Sequence, residues 1–190
     1  LFEDIEARRM TLRSRIPVSK TAAGRSPSKL YLKPGQSISV EQAIYALVTK
    51  SANDVATALA EKLSGTERKF AKRMTRKAKA LGMRRTVFMN ASGLPNRRQK
   101  STARDMAVLA VAMRRDFPQF YKYFSTQSFN WKGRKYGNHN KLLAKYSGTD
   151  GIKTGYINAS GFNLVATVER NGVRLIGVVF GGKTSRSRDR

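Results

Sequence analysis

The chain has 190 residues, 40% of them apolar, and carries a formal net charge of +26 at pH 7. That length and apolar share are enough for one buried core, or the larger part of one, which excludes wholesale disorder. The absence of cysteine excludes a disulfide framework, a thiolate metal site and a cysteine nucleophile, and the lone His139 excludes a clustered-histidine centre, so no metal and no cofactor is expected.

A pI near 11.1 is the usual footprint of a nucleic-acid binder. Lys and Arg are nonetheless scattered along the chain, with modest clusters at Arg68–Lys79, Arg97–Lys100 and Arg186–Arg190. No zinc-finger spacing, stacking-aromatic motif or Gly-rich phosphate loop accompanies them. The charge therefore reads as a solvated basic surface suited to a cell wall or to acidic lipid headgroups, and no nucleic acid is expected as a partner.

In chain order, residues 1–9 read as the end of a helix. Arg15–Ser19 suits a short edge strand, because Pro17 has no N–H to give a central ladder. Residues 22–35 are a Gly/Ser/Pro-rich loop with a Lys33-Pro34-Gly35 turn. Ser39 and Gln42 form a capping-box pattern, and Ala43, Ile44, Leu47 and Val48 then carry a helical period. A second helix is predicted from about Asp54 to Leu63, stopping at Ser64-Gly65. Thr66 caps a third, with Phe70, Met74, Ala78 and Leu81 on one face, an almost wholly basic opposite face, and Gly82 past its end.

Thr86–Met89 reads as a short extended piece before the loop Asn90–Pro95. Thr102 and Asp105 are a capping pattern ahead of Met106, Leu109, Ala110 and Met113. The aromatic cluster Phe117–Phe124 suits a short helix packed on the core, and Ser125–Trp131 alternates like a strand. Phe162–Glu169 and Val173–Phe180 read as strands joined by Asn171-Gly172, a pair that favours a type I′ hairpin because both residues take positive φ. Helices first and an antiparallel hairpin last indicate an α+β domain without repeats or linkers.

Two short motifs carry polar chemistry. Ser51-Ala52-Asn53 closes a predicted helix, and Ser51 or Asn53 could serve a reaction or simply cap the next helix, as Asp54 could. Lys153-Thr154-Gly155 lies 102 residues further on, in Asp150–Tyr156, where it fits either a site or an ordinary edge strand. Neither tripeptide is specific alone.

Taken with Asn90–Pro95, Asn138-His-Asn140 and Gly181-Gly-Lys-Thr184, these motifs resemble the serine-type D-alanyl-D-alanine carboxypeptidases, the low-molecular-mass penicillin-binding proteins, over nearly the whole chain. The resemblance implies a β-lactamase/transpeptidase-like α+β fold, an antiparallel sheet flanked by a helical cluster, with residues 1–190 as a partial domain incomplete at both ends. It implies a serine acyl-enzyme that removes the last residue of a peptidoglycan pentapeptide ending in D-Ala-D-Ala, with β-lactams as inhibitors, in the bacterial periplasm or cell envelope. Ser51 would relay a proton and Asn53 would donate its amide to a substrate carbonyl. Lys153 would polarise Ser51 and, with Thr154, bind the terminal carboxylate; Gly155 would leave room for an extended peptide. The Tyr156 N–H would form half of an oxyanion hole, and Arg188 would anchor the carboxylate unless it is one more charge of a basic tail.

Two departures stand out. Ile157 occupies a position where the family usually has threonine. The nucleophile motif Ser-x-x-Lys is matched only by Ser26-Pro-Ser-Lys29, where Pro27 and Gly24 predict a loop rather than the helix N-terminus a nucleophile needs. It also lies too close to Ser51, so the nucleophile is expected upstream of Leu1, on the helix whose last turn is Leu1–Glu6. Residues 1–190 alone are then expected to be poorly stable and inactive. Within the same fold, a class A β-lactamase is the alternative, but neither Glu61 nor Glu67 sits in a Glu-x-x-Leu-Asn loop, and Ala52 stands where aspartate is typical there. A non-catalytic basic module binding cell wall or nucleic acid is the alternative of another class.

Overall fold

A computed structural model describes all residues, 1–190. The amino-terminal half is helical: α1 (Phe2–Glu6), β1 (Arg15–Pro17), α2 (Lys20–Ala23), β2 (Ser37–Ser39), α3 (Val40–Thr49), α4 (Asn53–Ser64), α5 (Glu67–Ala80) and α6 (Ala103–Asp116). Next come α7 (Pro118–Tyr121) with a 3-10 turn over Lys122–Ser125, the hairpin β3 (Ser128–Trp131) and β4 (Arg134–Gly137), and α8 (Leu142–Lys145). The chain then makes β5 (Thr149–Ile157), β6 (Gly161–Arg170), β7 (Val173–Gly182) and α9 (Ser185–Arg188). No helix is long and apolar enough to cross a membrane.

Local chemistry sets the helix starts as read from the sequence. Ser39 and Gln42 close a reciprocal capping box on α3, Thr66 Oγ1 accepts from the Lys69 N–H to open α5, and Thr102 accepts from the Asp105 N–H to open α6. The expected Asn171-Gly172 turn has φ of 49° and 75° at its two residues, as a type I′ connection requires. Three sheets result, with β1 antiparallel to β2, β3 to β4, and β5-β6-β7 in that order. Pro17 sits opposite Ser37 in a two-stranded edge pair, where its missing N–H costs no ladder bond.

The core is built around α4, whose residues Asn53–Ala60 are all buried. Val55 of α4 and Ile16, Ile38 and Val40 around it are sealed from water, each such side chain contributing roughly 1.5–3 kcal/mol. Asp54, fully buried, accepts the N–H groups of Leu30 and Leu32 at 3.1–3.2 Å and so pins residues 24–35 to the start of α4. A separate, smaller cluster of Ala110, Tyr121 and Ile152 joins α6 to the three-stranded sheet. Between the two runs a trough with apolar walls that include Leu47, Val48, Leu109, Met113, Phe117 and Phe124.

Candidate active site

The turn from α3 to α4 projects Ser51 with φ of 56°, a left-handed conformation that is uncommon for a non-glycine residue and tends to occur where a side chain must be aimed. Ser51 does not cap α4: the N-cap position is Ala52, with no side-chain cap bond. Asn53 is the first residue of α4, and its Nδ2 donates to the Ser26 carbonyl at 3.1 Å while its backbone N–H donates to the Ser28 carbonyl at 2.7 Å. One Nδ2 hydrogen is thereby left for another acceptor.

Across a cleft of about 740 Å3 lie Lys153 and Ile157 of β5, with Ser160, Asn163 and Phe180 beyond them. Ser51 and Asn53 line the same cleft, as do Asn90–Gly93, Met74, Phe88, Met106 and Phe124. Strand alternation explains which β5 residues take part: Lys153, Gly155 and Ile157 share one face, whereas Thr154 and Tyr156 point to the other. Thr154, Gly155, Tyr156 and Arg188 are not among the residues lining the cleft. The Tyr156 ring packs against Phe162, 4.4 Å between centroids, and its hydroxyl donates to Asn158.

The Lys153 side chain keeps some exposed area, but its ammonium is enclosed and donates to the Thr154 carbonyl at 2.8 Å. Burial, and secondarily the charge of Arg188, push its pKa down to about 8. Arg188, 5% exposed, is held on α9 by Asp189, to which Nε donates at 2.8 Å and Nη2 at 2.5 Å. It is thus a buried, oriented guanidinium and not a loose charge of the tail. His139, whose side chain is exposed and not among the cleft's lining residues, has its pKa lowered by partial desolvation and by the charges of Lys153, Lys50 and Arg188.

Several supports could not be read from sequence because they join distant segments. Asn140, buried, donates to the Gly151 carbonyl at 3.1 Å and ties α8 to the start of β5. Behind β5, Thr167 Oγ1 donates to Asp150 at 2.6 Å, so the buried Tyr121 hydroxyl donates to Thr167 at 2.7 Å. Arg174 closes that network on Asp150 at 2.7 Å. Glu67 accepts from the Ala91 N–H at 3.1 Å and from Arg25 at 2.5 Å, fixing the Asn90–Pro95 loop at the cleft mouth. Residues Ser26–Lys29 form no helix; Ser28 Oγ donates to the Lys50 carbonyl and Lys29 Nζ to the Ala23 carbonyl. Neither Glu61 nor Glu67 lines the cleft.

An antiparallel sheet edge facing a helical corner across a Ser/Asn/Lys cleft is the architecture of penicillin-recognising serine acyl-transferases. The family model for D-alanyl-D-alanine carboxypeptidase, peptidase S11, matches residues 1–184. The chain is 32% identical over 200 residues to the D-alanyl-D-alanine carboxypeptidase DacF of Bacillus subtilis, covering 100% of this chain and 50% of that protein. Among solved structures, the carboxypeptidase DacD of Francisella tularensis superposes with a TM-score of 0.94 at 30% identity, over 99% of this chain and 58% of that one. Ampicillin-bound penicillin-binding protein D2 of Listeria monocytogenes gives 0.86 at 30% identity, over 98% and 76%. The chain belongs to the D-alanyl-D-alanine carboxypeptidase family. It spans about half the length of the curated relatives it matches.

Proposed function

We propose that residues 1–190 are part of the domain of a serine-type carboxypeptidase that trims D-alanine from peptidoglycan stem peptides in the bacterial envelope, and that β-lactams inhibit it. The observation that carries this reading is the meeting of Ser51, Asn53 and Lys153 on one cleft. The substrate lies extended along the open edge of β5, its terminal carboxylate drawn by the positive charge of Lys153 and Arg188. Asn53 gives its free amide hydrogen to a substrate carbonyl. Ser51, polarised by the Lys153 ammonium, passes a proton to the departing D-alanine amine, while the Tyr156 N–H supports the oxyanion. The attacking serine belongs to a Ser-x-x-Lys helix outside these residues, seated in the trough walled by Leu47, Val48 and Phe124, which both the cleft and its apolar extension share. The enclosed acyl-enzyme is then released by water.

The test is acylation by a fluorescent penicillin, read on the longer protein and on residues 1–190 alone. Only the longer protein is expected to label, and Lys153→Gln should slow its labelling by about 10²–10³-fold, the scale of losing one charge-stabilising donor. Labelling of residues 1–190 at Ser26, Ser28 or Ser51, or an unchanged rate in the Lys153 variant, would overturn the assignment.

A further inference from the structure

A second concave site lies outside the cleft. Residues 68–104 contain thirteen Lys or Arg and no Asp or Glu. Within that segment, α5 and the stretch around Val87–Met89 enclose a groove of about 860 Å3 with largely apolar walls, to which Arg68, Lys72 and Arg76 contribute from the helix and Arg98 from the opposite side. The three helical cations recur every fourth residue, so they stand about 6 Å apart along the axis. The ion pairs of α5 lie elsewhere, from Arg73 and Lys77 to Glu3 and Asp4. Glu67, at the start of α5, is turned to Arg25.

Hydrogen bonds tie the walls of the groove together. Thr75 Oγ1 accepts from the Phe88 N–H at 2.9 Å and donates to the Phe88 carbonyl at 3.2 Å, bolting the helix to the floor. Val87 and Lys100 exchange backbone hydrogen bonds of 2.9 and 3.1 Å, which holds the far wall.

We infer that this groove docks a linear phosphodiester polyanion that lacks bases, a polyol-phosphate chain. A ladder of evenly spaced cations, none of them ion-paired, complements a regular row of phosphates. The concave shape, with Val87 at only 36% exposure as its sole exposed large apolar residue, lacks the wedge that a bilayer-binding helix inserts. Phe88, half-buried, is the one aromatic residue lining the groove, so successive bases would find no row of rings to stack on. Phe88 also lines the catalytic cleft, so a docked polymer would hold the cleft against the surface that bears it. This inference stands independently of the chemistry assigned to the cleft.

The experiment is titration of the full chain with synthetic poly(glycerol phosphate) over a range of salt concentrations. Two triple variants are compared with it: Arg68→Gln/Lys72→Gln/Arg76→Gln in the groove, and Lys20→Gln/Lys122→Gln/Lys145→Gln at exposed positions away from it. Thermal melts confirm that each is folded. The groove variant is expected to bind at least about tenfold more weakly and to flatten the slope of log K against log salt by about 2, near 0.7 per lost contact; the control variant should change less than about twofold. Equal weakening in both variants would reduce the effect to net charge and overturn the inference. Tighter binding of anionic vesicles, or of a single-stranded oligonucleotide of matched charge, would overturn it equally.

Discussion

Lys153 is the residue whose electrostatics most directly shape the cleft. Its ammonium is charged below pH 8 and loses its proton as the pH rises through about 8. Because the folded value lies below the ordinary lysine value of 10.5, the enclosed charge disfavours the fold fully below pH 8, and that penalty fades between 8 and 10.5. Arg188→Gln removes the repulsive neighbour and is expected to move the Lys153 midpoint upward, read by NMR titration of the lysine side-chain carbons. A wild-type midpoint near 10.5, or a downward move in the variant, would contradict the geometry. The tripeptides around Ser51 and Lys153 were legible as motifs. Their partners Phe88, Met106 and Phe180 were not, since only the tertiary fold brings those apolar side chains to one wall.

At the level of elements, β5 is held by polar bonds from behind. Thr167→Val would leave the buried Tyr121 hydroxyl without its acceptor and Asp150 with Arg174 but without the threonine donor, a loss of roughly 1–3 kcal/mol. The denaturation midpoint should fall while the m-value holds. Adding Tyr121→Phe to Thr167→Val is expected to cost little more, since the unpaired hydroxyl is then gone; full additivity would show that the two groups act separately. Elements fixed by local chemistry were readable in advance, as the α3 capping box and the Asn171-Gly172 hairpin show. Strand β3 falls within the stretch read as extended, but its hairpin partner β4 was not readable, because the turn places Lys132 at φ of 47°, a conformation that lysine does not advertise. Strand β2 has only three residues and is defined by pairing with β1 rather than by a pattern of its own.

For the whole molecule, charge is the governing variable. Asp4 and Asp105 have lowered pKa values: burial opposes but Arg73 and Arg9 prevail at Asp4, and the Thr86 hydroxyl leads at Asp105. Both contribute stability that is present above the ordinary carboxylate range and lost as pH falls through their lowered values. Acid therefore removes these anchors while raising a net charge already at +26. At pH 7, raising sodium chloride from about 0.05 to 0.5 M, which shortens the screening length severalfold, is expected to raise the melting temperature. A fall would mean that the attractive pairs around Asp4 outweigh the repulsion.

The order β5-β6-β7 leaves the outer side of β5 without a strand partner. An edge able to receive a short peptide could receive the same edge of a sister molecule, which is how sheets begin to stack into aggregates. The surplus of lysine and arginine is then a colloidal safeguard, keeping copies apart so that the cleft-side strand stays available to small guests.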